Sequence, residues 1–499
     1  MDEPASLVGM AAAPADITAA LTVGPRRLAT NLLYLSCGEI AARLLTFSSF
    51  TYLARTLDPA SYGSVEFALA VMVFFSLPVD LGLSWYGARE IALNPGRARF
   101  LLREITGLRL ILALCSMLAL AVFILFLHKG ADQKILLGLY GVSLLGGPFL
   151  LPWFFQAHDQ MHWVAIASIL RQACFAFAVF LLCRRGSPLL YIGISECFSV
   201  AAVSAFSTYV TRYRMGFPWS WPELRVTRLV AHLRSAAPIG FSELAWAFMW
   251  YFPTVLLGFT VANRTLGWFG ASHRALMALH SFVPLYFFNL LPSIARCAGR
   301  PHEELLSLMD RSVRFLSWTG LFAAGLFTAA APQTVTLLYG SSFRPAASFF
   351  AILIWMLPIA MLSGHHRFIL IAYSHQKRLM SCTVVSAGVA VILGFALIPP
   401  FQGQGAAWAL LIANFVNFLL VYFSVRQLVV EVPVCRELGK PLFALAVSAV
   451  VFLLLAKWNI WIALTGGSAV YAAVLVWSDG PQLFAFVRTM ANKPAAEAR

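Results

Sequence analysis

The chain has 499 residues, a length that would suit three or four soluble domains, yet 60% of them are hydrophobic, only 11% are charged and the mean hydropathy is +0.79. A soluble protein carries about 25% charged residues and could not bury this much apolar surface, so the composition leaves a polytopic membrane protein. The net charge of +15 arises from basic residues scattered singly and in pairs between apolar stretches, a pattern of membrane topology rather than of nucleic-acid binding.

The opening Met1-Asp2-Glu3-Pro4 lacks a basic n-region, so residues 1–28 read as a cytoplasmic N-terminal segment and not as a cleavable signal peptide. A spanning helix needs about 20 predominantly apolar residues. Such helices are predicted near 30–53, 62–83, 105–127, 134–155, 161–183 and 188–210, forming a first lobe over 29–211. A polar, basic linker follows at 212–235. The next six fall near 236–259, 266–291, 315–338, 347–373, 379–398 and 405–425, a second lobe over 236–427. Two more, 439–456 and 459–477, occupy 428–478, and 479–499 is a cytoplasmic tail. The expected fold class is all-α, with about fourteen transmembrane helices.

Loop charges predict the orientation. Alternate connections hold Arg89, Arg97, Arg99 and Arg103, then Arg212, Arg214, Arg225, Arg228 and Arg234, then Arg296, Arg300, Arg311 and Arg314. The intervening ones hold little beyond Arg55, Lys129, Arg184, Arg264 and Arg344. The basic side is expected to be cytoplasmic, with both termini there. Eight cysteines, without CxxC or a Cys/His cluster, read as free thiols in apolar helices, and no metal site is expected.

The sequence repeats weakly at an offset of 204–207: Tyr62-Gly63 is echoed by Leu266-Gly267, Ala88-Arg89 by Ala295-Arg296, and Glu39 falls opposite Glu243. An even number of helices separates the copies, so the repeat predicts two six-helix lobes related by a pseudo-twofold along the membrane normal, with a cavity between them.

Particular stretches are familiar. Tyr52-Leu53-Ala54-Arg55-Thr56-Leu57-Asp58-Pro59-Ala60-Ser61-Tyr62-Gly63, Gly87-Ala88-Arg89-Glu90, Leu291-Pro292-Ser293-Ile294-Ala295-Arg296 and Leu338-Tyr339-Gly340 resemble the Wzx-type polysaccharide flippases of the MATE-like MOP superfamily. Asp58 departs from the glycine usual there. The resemblance implies a transporter of the bacterial inner membrane, not an enzyme. It would move undecaprenyl-diphosphate-linked oligosaccharide units from the cytoplasmic to the outer leaflet for O-antigen or exopolysaccharide assembly. It also implies a proton or sodium gradient as driving force, no other cofactor, and polysaccharide polymerase or chain-length machinery as partners beside the lipid bilayer.

A diphosphate cargo needs a water-filled cavity with guanidinium forks. Arg43, Arg171 and Arg274 lie deep within predicted spans, where an isolated charge costs about 2.5–3.5 kcal/mol, and are the candidate phosphate ligands. Trp246 and Trp250 could stack on sugars, and Asn414 and Asn417 could hydrogen-bond them. The candidate ion-coupling groups are Glu243 first, then Glu39 and Glu196, with His366 as a titratable neighbour; Glu66 and Asp80 lie near span ends and read as structural. Two readings of the same fold stay open, a drug or cation antiporter and a peptidoglycan-precursor (lipid II) flippase. A membrane glycosyltransferase would need a large catalytic loop, which the short connections do not provide.

Overall fold

The structure, a computed structural model, describes residues 25–218, 226–298 and 300–496; the expected N-terminal segment through Gly24 and residues 219–225 of the expected linker lie outside them. Among the described residues the regular elements are helices, and they cross the bundle fourteen times. The first six traverses are α1 (Pro25–Thr56), α2 (Pro59–Asp80) with α3 (Leu83–Leu93), α4 (Ala98–Phe126), α5 (Ala131–Ser143) with α6 (Pro152–Ala157), α7 (Met161–Leu182) and α8 (Leu190–Tyr209). The next four are α9 (Val226–Thr260), α10 (Asn263–His280) with α11 (Phe282–Cys297), α12 (His302–Ala329) with α13 (Ala331–Tyr339), and α14 (Ala346–Leu353) with α15 (Met356–Ala372). The chain then folds α16 (Gln376–Leu428) back on itself at Gln402, just after Pro399-Pro400, making two traverses of one element. α17 (Val434–Ala456) and α18 (Ile460–Ala496) complete the set.

Ten of these stretches, or eleven counting the α12–α13 pair bent by 74°, are long and apolar enough to cross a membrane. α1 and α9 fall outside that set. They are the first helices of the two lobes, and the charges Glu39, Arg43 and Glu243 make them less apolar than their neighbours. α9 also begins at Val226, ahead of the expected 236, so residues 226–235 of the expected linker are helix.

Breaks between paired helices have local causes. α2 stops where Leu81 and Gly82 both take positive φ, 40° and 80°, a conformation glycine adopts without steric cost. Asp58, the departure noted above, caps α2: its carboxylate accepts from the backbone N–H of Ala60 (2.8 Å) and Ser61 (3.3 Å).

Within the first lobe α1 lies along α7, α7 along α8 and α5 along α8. In the second, α9 lies along the first half of α16, repeating the α1–α7 pairing, and α15 packs on α16 and α12. α17 and α18 attach to α12 through Arg314–Glu437 (2.6 Å) and through Trp318, whose indole N–H donates to Asp479 at 3.1 Å.

The lobes meet at two seams. At the face with few arginines, α2 and α10 cross backbone on backbone: a Cβ at Gly63 would lie 1.9 Å from the Asn263 carbonyl oxygen, and one at Gly267 would lie 1.8 Å from that of Pro59. The two glycines are repeat mates. In lipid there is no hydrophobic drive between helices, and small residues that let backbones approach supply the packing instead. At the arginine-rich face, α3 and α4 meet the start of α9. There His232 Nε2 pairs with the fully buried Glu104 at 2.6 Å, Arg228 reaches the same carboxylate at 3.4 Å, and His232 Nδ1 lies 3.0 Å from the Tyr86 hydroxyl.

Candidate functional site: the cavity between the lobes

Between the seams lies a cavity of about 530 Å³. α1 supplies Glu39, Arg43, Thr46 and Phe50 at spacings of 4, 3 and 4, one helical face. α2 adds Glu66, Leu69, Ala70 and Val73, α7 adds Ser168, Arg171, Gln172 and Phe175, and α8 adds Glu196. From the second lobe come Tyr251 and Thr254 on α9, His273, Arg274, Met277 and Ala278 on α10, and Tyr339 on α13.

All three arginines singled out from the sequence line this cavity, and each holds a carboxylate. Arg43 pairs with Glu39 at 2.5 Å one turn away on α1. Arg171 on α7 pairs with Glu196 on α8 at 2.8 Å. Arg274 on α10 pairs with Glu66 on α2, and its guanidinium lies 3.4 Å from the centre of the Phe50 ring. That last pair bridges the lobes and is the most buried, with the Glu66 side chain 7% exposed. Three guanidiniums against three carboxylates leave the lining formally neutral with His273 neutral, although its hydrogen-bonding forks point into one space.

The other candidates lie elsewhere. Glu243 is not part of the lining; it accepts a hydrogen bond from the Trp85 indole at 3.1 Å across the arginine-rich seam. Trp246 and Trp250 stand behind the wall, 5.9 Å apart, with Trp250 buried against His280; their neighbour Tyr251 takes the cavity position. Asn414 donates to the Leu410 carbonyl of its own helix, and the Asn417 carbonyl oxygen accepts from Ser386 Oγ at 3.3 Å, within the α16 hairpin. His365 and His366 are both buried in the second lobe, against Ser312 (2.7 Å) and the Leu362 carbonyl (3.0 Å). Arg109, a further arginine at depth, pairs with Asp80 at 3.2 Å inside the first lobe.

Of the acids, arginines and histidines in the lining, two were not visible as such in the sequence. Glu66 read as structural, and His273 drew no attention beside Arg274. One signal did exist for Glu66. Its repeat mate is Gly270, and a Cβ there would lie 2.3 Å from Glu66 Cγ, so the glycine makes room for the carboxylate. Among the described residues no three His, Cys, Asp or Glu side chains converge as metal ligands. The eight cysteines are unpaired.

Comparison with known proteins places this architecture. Residues 28–298, more than half of the chain, match the family described as "Polysaccharide biosynthesis protein". The chain belongs to that family. Within reach of it is a protein of Escherichia coli (strain K12) described as "Putative O-antigen transporter", 21% identical over 410 residues, covering 80% of this chain and 97% of that one. A Shigella dysenteriae protein of the same description is also 21% identical, over 79% of this chain and 98% of its own. Among solved structures, "Lipid II flippase MurJ, inward closed conformation" superposes with a TM-score of 0.72 over 90% of this chain and 100% of that one at 14% identity. An inward-facing multidrug resistance MATE family transporter of the MOP superfamily gives 0.64 over 77% and 94%, also at 14% identity. This member of the polysaccharide biosynthesis family is thus a multi-pass membrane protein with the MOP-superfamily fold.

Proposed function

We propose that the protein flips a lipid-linked oligosaccharide, carried on undecaprenyl diphosphate, between the leaflets of the bacterial inner membrane for surface polysaccharide assembly. The observation that carries this reading is the convergence of Arg43, Arg171 and Arg274 from both lobes on one cavity between them. Its volume falls within the range of about 300–1,000 Å³ of small-ligand pockets, suited to a diphosphate and the first sugars. The isoprenyl chain, which needs no polar site, trails in the bilayer. Family membership and the printed descriptions of the E. coli and Shigella relatives support the same cargo. The arginine-rich face, with both termini, is cytoplasmic by the positive-inside rule. Movement is alternating access: the two lobes rock about the cavity, one seam parting as the other closes, with a proton or sodium gradient as the driving force. Polymerase and chain-length machinery would receive the flipped unit.

A deletion strain tests the reading. Loss of surface polymer with lipid-linked units accumulating on the inner leaflet, rescued by wild type and not by Arg43→Ala or Arg274→Ala at equal expression, is the expected result. Unchanged polymer together with reduced export of cationic dyes would assign the fold to a drug antiporter; arrested peptidoglycan precursors would assign it to lipid II.

A further inference from the structure

None of the three cavity arginines awaits its cargo empty-handed. Two of the pairs, Arg43–Glu39 and Arg171–Glu196, stay within the first lobe and are partly open to the cavity, Arg43 and Glu39 being 39% and 41% exposed. Water can screen such carboxylates when a ligand draws the arginine away. Glu66 is different. It is buried, its partner belongs to the other lobe, and among the described residues the groups around it offer no second cation in contact. Tyr62 precedes it by one turn on α2; Tyr251 faces the pair from α9, Tyr339 from α13 and Tyr140 from α5. His273 neighbours Arg274 on α10, Phe50 of α1 covers the guanidinium, and Glu39, Arg43, Arg171 and Glu196 are the remaining charges of the shared cavity. Phenols are neutral at physiological pH. A buried carboxylate that loses its only close cation takes up a proton rather than remain charged.

On the reading that the cargo carries a diphosphate, we infer that loading is an exchange at Arg274: the phosphate oxygens displace Glu66, and Glu66 binds one proton as it is released. Before the exchange, the Glu66 carboxylate is paired with the Arg274 guanidinium. Afterwards, a phosphate oxygen is paired with Arg274, which stays protonated, and Glu66 is a neutral carboxylic acid. One proton has come from solution and no covalent bond has changed. The exchange also replaces a tie between α2 and α10 by a tie from α10 to the cargo, so occupancy of the site and the hold between the lobes become one equilibrium. Glu66, not the sequence-favoured Glu243, is then the group that links proton binding to cargo binding.

The test uses the full-length protein in detergent with farnesyl diphosphate as a water-soluble probe. Binding is measured by calorimetry in buffers of different ionisation enthalpy, which counts the protons exchanged, between pH 6 and 8. Protons exchanged by the probe itself are common to every variant, so the comparison is between variants. Wild type is expected to take up about one proton more per bound diphosphate than Glu66→Gln, and Glu66→Gln to bind about tenfold tighter at neutral pH, where a charged competitor has been removed. Glu39→Gln keeps the wild-type proton count. Should Glu66→Gln fail to fold, Arg274→Gln serves: it should weaken binding and abolish the same proton. Equal proton counts in wild type and Glu66→Gln, or loss of the proton in Glu39→Gln instead, would overturn the exchange while leaving an anionic cargo in place. A wild-type protein that binds no farnesyl diphosphate would overturn both.

Discussion

The two seams that close the cavity both bring backbones together at glycines, and differ in what surrounds the contact. At the arginine-poor face the lobes touch through backbone: Gly63 and Gly267 admit the carbonyls of Asn263 and Pro59, Asn263 donates to Ser64 Oγ at 3.0 Å, and Arg55 Nε donates to the Leu338 carbonyl at 2.8 Å. The contact is symmetric, each repeat giving the other the same glycine. At the arginine-rich face Gly82 and Gly240 let the backbones of Leu81 and Ala236 come close, and around that contact side chains meet that do not mirror one another: Glu104, Tyr86 and Trp85 on one side, His232, Arg228 and Glu243 on the other. The first seam depends on shape, because a backbone contact weakens steeply with distance. The second adds charge and hydrogen bonds, which can be exchanged with water as the surfaces part. A protein that must open at one face and then the other has been given one closure that answers chiefly to geometry and one that answers to solvation as well.

The comparison can be broken most severely at the glycines. Gly267→Ala should cost about 3 kcal/mol or more, because its Cβ would overlap the Pro59 oxygen, whereas Gly388→Ala, with nothing within 4 Å, should be neutral; thermal unfolding of the purified protein in detergent separates them. At the other seam, His232→Ala removes the nearer of the two cations that reach the buried Glu104, leaving Arg228 at 3.4 Å, and should cost about 2 kcal/mol, with part of the loss recovered in the double variant Glu104→Gln/His232→Ala. Trp85→Phe removes the hydrogen bond to Glu243 and should cost about 1 kcal/mol or less, since Trp85 is largely exposed. An Asp58→Ala substitution should cost about 1 kcal/mol through lost capping of α2. Burial raises the Asp58 carboxyl, but the hydrogen bonds from Ser61 and Ala60 outweigh it and hold the group below the usual carboxylate range. Its contribution is therefore complete at neutral pH and is lost on acidification through the unfolded value and then the lower folded one, so the wild-type and Asp58→Ala melting curves should converge in acid.

Much of the site was within reach of the sequence because its first element is local. Glu39 and Arg43 are four apart on one helix, and no knowledge of the fold is needed to pair them. The partners of the other two arginines are set by packing. Arg171 could have met any polar group on several helices; it meets Glu196 because α7 lies along α8. Arg274 and Glu66 belong to different lobes, and only the glycine crossing of α2 and α10 brings them together.

What the sequence determined by itself is the number of traverses, the repeat and the presence of arginines at depth. A bilayer obliges each segment to satisfy its own backbone, so every span is written locally in twenty or so apolar residues. Which side of each helix meets water was settled only in the assembled bundle. Trp250 and Tyr251 are consecutive on α9, yet one packs against His280 and the other lines the cavity. Successive side chains on a helix diverge by about 100°, and hydropathy, which sorts residues from lipid, says nothing about which direction a neighbouring lobe will occupy.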